Sequence, residues 1–175
     1  MDILVLLSLN NINKERERNV KIQNLLTQDM ILPDMESEDR AGILNEMVSY
    51  LKKKDKISKE KDLYDRLLQR EKLGSTAIGD GVAIPHCKMK GTKNPIVMLA
   101  ISKKGVNFHS LDGNPSHIFF LVVSSPDNPS LNLQILASIA HLVRKSSSLL
   151  KRILDARNIL SILDIIREEE DRLDE

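Results

Sequence analysis

The sequence predicts an α/β sandwich in which a central sheet is covered by helices on both faces. Three observations carry that prediction. Stretches with one apolar stripe at helical spacing alternate with runs of strand length. The two longest runs, Ile96 to Ile101 and Ile118 to Val123, are apolar without a break, which is the pattern of strands covered on both sides. After Ser124-Ser125-Pro126 the pattern switches back to helical spacing, so a helix leaves the sheet there.

Met30-Ile31-Leu32, stopped by Pro33, reads as a short strand. Ser37 looks like an N-cap with Glu38 and Asp39 in the first turn, and a helix follows to about Lys53. Ile43, Leu44, Met47, Val48 and Leu51 form its buried stripe. A second helix, from Ser58 to about Arg70, uses Leu63, Leu67 and Leu68, and its last turn carries a basic residue where the helix dipole favours one. Strands then cover Val82 to Ile84, Ile96 to Ile101 and Ile118 to Val123. Leu131, Ile135, Ile139 and Leu142 mark one face of a helix running to about Lys145, with Asn132 in its first turn. A short helix around Leu149 to Leu154 and a terminal one around Leu160 to Leu173 complete the chain, and Glu168, Glu169, Glu170 and Asp171 read as a solvated face.

The stretch between Arg70 and His86 concentrates the chemistry. Gly74, Gly79 and Gly81 permit positive φ, and the hydroxyls of Ser75 and Thr76 can hydrogen-bond nearby groups, so the segment reads as a compact loop. It lacks the Gly-Lys-Ser/Thr ending of a Walker loop and the glycine spacing of a dinucleotide fingerprint. The apolar run Val82-Ala83-Ile84 ends at Pro85, which places His86 at a strand end. One imidazole nitrogen there is free to act as a nucleophile while a backbone carbonyl holds the other and fixes the tautomer. Arg70 lies 16 positions earlier. A guanidinium beside an imidazole suits a phosphoryl group, because it neutralises anionic oxygens and repels a proton from the ring. On local grounds alone, a histidine after a strand most often serves packing, and Arg70 is most simply a solvated helix residue.

Arg70-Glu71, then Gly74-Ser75-Thr76, Ile78-Gly79-Asp80-Gly81 and Ala83-Ile84-Pro85-His86 resemble the active-site signature of fructose/mannitol-type (type 2) enzyme IIA domains of the bacterial phosphotransferase system, a family that includes the nitrogen-regulatory enzyme IIA proteins. Gly105-Val106-Asn107-Phe108 and Leu111-Asp112-Gly113-Asn114-Pro115 are similar to a second family segment. The resemblance runs from about Val20 to the C-terminus and leaves residues 1–19 as an N-terminal extension. That extension is an added helix or strand packing on the domain or on a second copy, alternatives the residues leave open. The resemblance implies a mixed sheet of about five strands. It also implies that His86 accepts a phosphoryl group from an HPr-like carrier, with Arg70 beside it and Ser75, Thr76 and Asn132 as binding residues.

The acceptor it implies is an enzyme IIB on a separate polypeptide, for sugar uptake. In the regulatory branch of the family, phosphorylation instead controls which protein is gripped. An inactive structural relative is a third reading, and the intact signature argues against it. Two positions depart from the family pattern. Ala77 stands where many members have glycine, at a cost of roughly 1 kcal/mol if φ must be positive. Asn132 stands where members commonly carry a second active-site histidine; its amide can donate to phosphoryl oxygen but supplies no charge.

A length of 175 residues, 41% of them hydrophobic, suits one well-buried domain. With 26 Lys plus Arg against 25 Asp plus Glu, the net charge of +1 gives no global attraction to nucleic acid or anionic membrane. Cys87 is the only cysteine, so no internal disulfide forms and a reducing compartment, the cytoplasm, is expected. His109, His117 and His141 make no recognisable ligand motif, and neither a metal nor another cofactor is expected. Ile3 to Leu7 is far shorter than the ~20 apolar residues of a membrane span, and the charged run Lys14 to Arg18 and the lack of a positive n-region argue against a secretory signal.

Overall fold

The structure is a computed structural model that describes residues 20–175; the expected N-terminal extension, residues 1–19, lies outside the described residues. Two single 3₁₀ turns, Ile22–Asn24 and Gln28–Met30, lead into strand β1 (Ile31–Leu32). Helices α1 (Arg40–Lys53) and α2 (Glu60–Leu73) follow, then strands β2 (Ala77–Gly79), β3 (Val82–Ala83), β4 (His86–Lys88), β5 (Ile96–Val106) and β6 (Ser116–Ser124). Helices α3 (Pro129–Lys145), α4 (Leu149–Leu154) and α5 (Ile159–Leu173) end the chain.

The six strands form one mixed sheet in the order β1-β5-β6-β3-β2, with β4 also paired to β6. The long antiparallel pair β5 and β6 is its centre, and Phe119 to Val123 are all fully buried. Successive side chains on a strand point to opposite faces, so unbroken burial means that both faces are covered. Phe108, from the segment after β5, packs its ring edge-on against Phe119 at 5.1 Å between centroids and is fully buried. An aromatic buried this way contributes about 1.5–3 kcal/mol.

Three local expectations are corrected. The N-cap of α1 is Asp39, whose carboxylate accepts from the Gly42 N–H at 2.8 Å. Ser37 is occupied elsewhere, since its N–H and hydroxyl both donate to Glu46. The acidic tail is not a uniformly solvated face: Glu169 and Glu170 are buried. Glu169 is surrounded by donors from Ser146, Arg152 and Arg172, and Glu170 accepts the backbone N–H groups of Ile22 at 2.6 Å and Gln23 at 2.9 Å. Those partners compensate what burying a carboxylate costs.

The third correction concerns His86. It does not follow the end of a strand but opens β4, and β3 and β4 lie along the same neighbour in one continuous register. Ala83 stands opposite Phe119 and His86 opposite Val122, three residues further on in each strand. Pro85 accepts from the Val122 N–H at 2.9 Å but has no N–H of its own, so one rung of the ladder is missing between the two pieces.

Candidate active site

Helix α2 delivers Arg70 and Glu71 in its last turn. Glu71 is buried, and its carboxylate accepts from the Thr76 N–H at 2.9 Å and from the Thr76 hydroxyl at 2.6 Å. Ser75 donates to the carbonyl of Phe108 at 2.5 Å and accepts from the Ala77 N–H. The loop is thereby tied to its own helix on one side and to the core aromatic on the other. Ala77 adopts no positive φ, so the substitution of glycine there is without strain.

A two-residue hairpin turn then joins β2 to β3. Asp80 and Gly81, with φ of 53° and 73°, both take the left-handed conformation that a type I′ turn requires. The Asp112 carboxylate secures this turn from outside by accepting from the N–H groups of Asp80 at 3.1 Å and Asn114 at 3.0 Å. The Ser110 hydroxyl nearby and the bond from the Asn114 N–H hold its carboxyl down at about 2. The second signature segment therefore acts as a brace for the first.

His86 emerges half-buried from this frame. Its Nδ1 lies 2.7 Å from the carbonyl of Ile84. A carbonyl only accepts, so Nδ1 carries the proton and Nε2 keeps its lone pair. Burial, then the charge of Arg70, depress its pKa below the ordinary imidazole value, against the opposing pull of the Ile84 hydrogen bond. The neutral form is favoured at pH 7.

His86 opens onto a depression of about 520 Å³ that Arg70, Arg66, Lys88, Asn132 and Leu133 also line. The guanidinium of Arg70 is steadied by donation to the Gly74 carbonyl at 2.9 Å. Arg66, Arg70 and Lys88 put three cations on this lining; Arg66 is paired with Asp62 at 3.0 Å, and among the described residues no carboxylate lines the depression itself. Such a surface stabilises an anionic group whose charge is spread over several oxygens. Cys87 also borders it, but burial pushes its thiol up to about 12 and keeps it protonated.

Of the residues singled out from the sequence, Arg70, His86 and Asn132 share this depression. Ser75 and Thr76 do not line it; their hydroxyls are used within the loop, so their contribution is to its shape. Sequence reasoning passed over Arg66, Lys88 and Glu71. The spacing of Lys88, two residues beyond His86 in an extended segment, was the available signal for it. The pairing of Glu71 with Thr76 had no signature beyond a carboxylate followed five positions later by a hydroxyl. Among the described residues, no group of three or more His, Cys, Asp or Glu side chains is placed to hold a metal ion.

An α/β sandwich with an accessible imidazole over a cation-lined depression is suited to phosphoryl transfer. Residues 24–169 match the family model described as Phosphoenolpyruvate-dependent sugar phosphotransferase system, EIIA 2, and the chain belongs to that family. The PTS system fructose-specific EIIABC component of Bacillus subtilis is 33% identical over 151 residues, covering 86% of this chain. This chain spans only about a quarter of that relative, 24% of its length. A nitrogen regulatory protein of Bradyrhizobium diazoefficiens is also 33% identical, over 146 residues, covering 81% of this chain and 94% of the relative. The crystal structure of nitrogen regulatory protein IIA-Ntr from Neisseria meningitidis superimposes with a TM-score of 0.76 at 26% identity, covering 83% of this chain and 98% of that one. The fold is shared, at 17% identity and a TM-score of 0.66, with Escherichia coli enzyme IIA-mannitol, a structure solved in complex with phosphorylated enzyme IIB-mannitol and covering 82% of this chain and 97% of that one. No helix among the described residues is long and apolar enough to cross a membrane.

Proposed function

We propose that the protein is a phosphocarrier whose acceptor atom is Nε2 of His86. The observation that carries this reading is the Nδ1 hydrogen bond to Ile84, which leaves Nε2 as the free nucleophile over the three cations of the depression. The lone pair of Nε2 attacks the phosphorus of a phosphohistidine on an HPr-like donor. A new N–P bond forms, the donor's N–P bond breaks, and its electron pair returns to the donor nitrogen. The proton stays on Nδ1, donated in a hydrogen bond to the carbonyl of Ile84. Arg70, and the amide of Asn132, receive the phosphoryl oxygens. Reversal toward a second nucleophile, on an enzyme IIB for sugar uptake, completes the relay. Alignment and charge stabilisation suffice for such a transfer between proteins, without a bound nucleotide or metal. The setting is the cytoplasm, and residues 20–175 form the carrier domain.

A stand-alone regulatory role is the second reading. Two observations favour it: the chain covers 94% of a nitrogen regulatory protein to which it is 33% identical, against 24% of the equally identical sugar-specific relative, and Asn132 supplies no second imidazole to speed onward transfer. In that role the phosphorylation state of His86 selects the partner bound.

The test is incubation with enzyme I, HPr and phosphoenolpyruvate, followed by intact-mass and acid-lability analysis. The expected result is one acid-labile phosphoryl group on the wild type and none on His86→Ala. Label that persists in His86→Ala would overturn the assignment. Titration of phosphorylated and unphosphorylated protein against candidate partners separates relay from regulation.

A further inference from the structure

We propose that Ser124 is a positioning residue for the transfer, fixing the Asn132 amide so that its two Nδ2 hydrogens face the phosphoryl group on His86. The proposal rests on the reading of His86 as the acceptor and adds a residue that touches neither imidazole nor phosphoryl oxygen.

Helix α3 approaches the depression at Asn132, and its backbone has little left to offer there. The Asn132 N–H is directed to the Asn128 carbonyl, and the Leu131 N–H is capped by the Asn128 side chain. Of the residues this helix places on the depression, Asn132, Leu133 and Leu136, only Asn132 has a side-chain donor. It is buried on one side and lines the depression with His86 on the other.

An asparagine amide has two chemically opposite ends, an acceptor oxygen and a donor NH₂, and nothing in its own shape chooses between them. Ser124 engages the oxygen end: a hydroxyl can donate or accept, but only the donated bond leaves the NH₂ free for an anion. Its hydroxyl donates to Asn132 Oδ1 at 2.9 Å, and the serine and the asparagine are only 3% and 6% exposed. With Oδ1 satisfied inside the protein, Nδ2 is left to point outward, and it is not among the buried polar atoms that lack a partner. Turned over, the amide would set its oxygen against the phosphoryl oxygens. Ser124 also stands where the ladder requires. It is opposite Lys88 while His86 is opposite Val122, so His86 and Ser124 project on the same face of the two paired strands. Unlike an imidazole, this pair does not titrate, and its donors are present at every pH at which the fold persists.

The test measures the rate of His86 phosphorylation from a phosphorylated HPr donor in Ser124→Ala, Ser124→Thr, Asn132→Ala and the Ser124→Ala/Asn132→Ala double variant. Ser124→Ala should slow transfer roughly three- to tenfold at unchanged KM for the donor, since it weakens one oriented hydrogen bond to an anion. Ser124→Thr, which keeps the hydroxyl, should restore the rate. In the Asn132→Ala background the loss of Ser124 should have no further effect, because its influence passes through the amide. An unchanged rate in Ser124→Ala, or an equal loss in both backgrounds, would overturn the proposal. A second measurement needs only wild type. The Asn132 side-chain amide protons should shift on phosphorylation, and their failure to move would also overturn it. If wild type takes no phosphoryl group on His86, it is the parent reading that has failed.

Discussion

At the scale of single residues, the decisive quantity is the depressed pKa of His86, caused first by burial and then by Arg70. Its sign sets two dependences. The nucleophilic neutral form persists below the ordinary imidazole value, so the rate of transfer to His86 from a phosphorylated donor should stay on its plateau through pH 6.5 and fall only further into acid; rapid-quench rates from pH 5 to 8 check this, using ~6.5 as the free-histidine reference. Between the depressed pKa and that reference the unfolded chain binds more protons than the folded one. Stability therefore rises with pH across that window and is lost as pH falls through it. Removing the guanidinium in Arg70→Ala should slow transfer about ten- to a hundredfold and move the His86 titration, followed by NMR, upward toward the reference value. An unmoved titration with an unchanged rate would remove Arg70 from the site.

At the scale of elements, the histidine is aimed by a hairpin that depends on its turn. Gly81 has a φ of +73°, and a Cβ there would meet Leu150 Cδ2 at 2.8 Å. Leu150 can swing aside, but the left-handed backbone remains unfavourable for a side chain. Gly81→Ala should cost about 1–2 kcal/mol in urea unfolding and reduce phosphorylation of His86 in proportion to the disorder it causes. The elements were largely legible from the sequence because long apolar runs and helical stripes are set by the neighbours of each residue. Asp39 rather than Ser37 caps α1 because Glu46, one strong acceptor further along, captures Ser37. The unbroken register through Pro85 was hidden for a similar reason. A proline marks a missing N–H, whereas whether the strand resumes beyond it is decided by β6, more than 30 residues away.

At the scale of the molecule, the chain is closed by its tail. Glu170 binds the N–H groups of Ile22 and Gln23 across 148 and 147 positions, and Glu169 gathers Arg152, Arg172 and Ser146. Such contacts explain why an acidic run looked solvated: its partners are remote in sequence. Glu170→Ala leaves a buried N–H of Ile22 without an acceptor and should lower stability by about 2 kcal/mol, a fall in Tm of roughly 4–8 °C by calorimetry, without altering the rate at His86. Burial pushes the Glu169 carboxyl up, but the bonds from Ser146, Arg172 and Arg152 outweigh it and hold it at about 2. That network contributes stability above the ordinary carboxylate range, lost as pH falls toward 2. The shared register of β3 and β4 has a final consequence. His86 is placed by parity: adding or removing one residue between Ala83 and His86 would turn the imidazole to the opposite side of the sheet, whereas a change of two would slide it along the same side. In this fold the spacing of the signature is an even-or-odd count, a constraint on length that is separate from the identity of any residue within it.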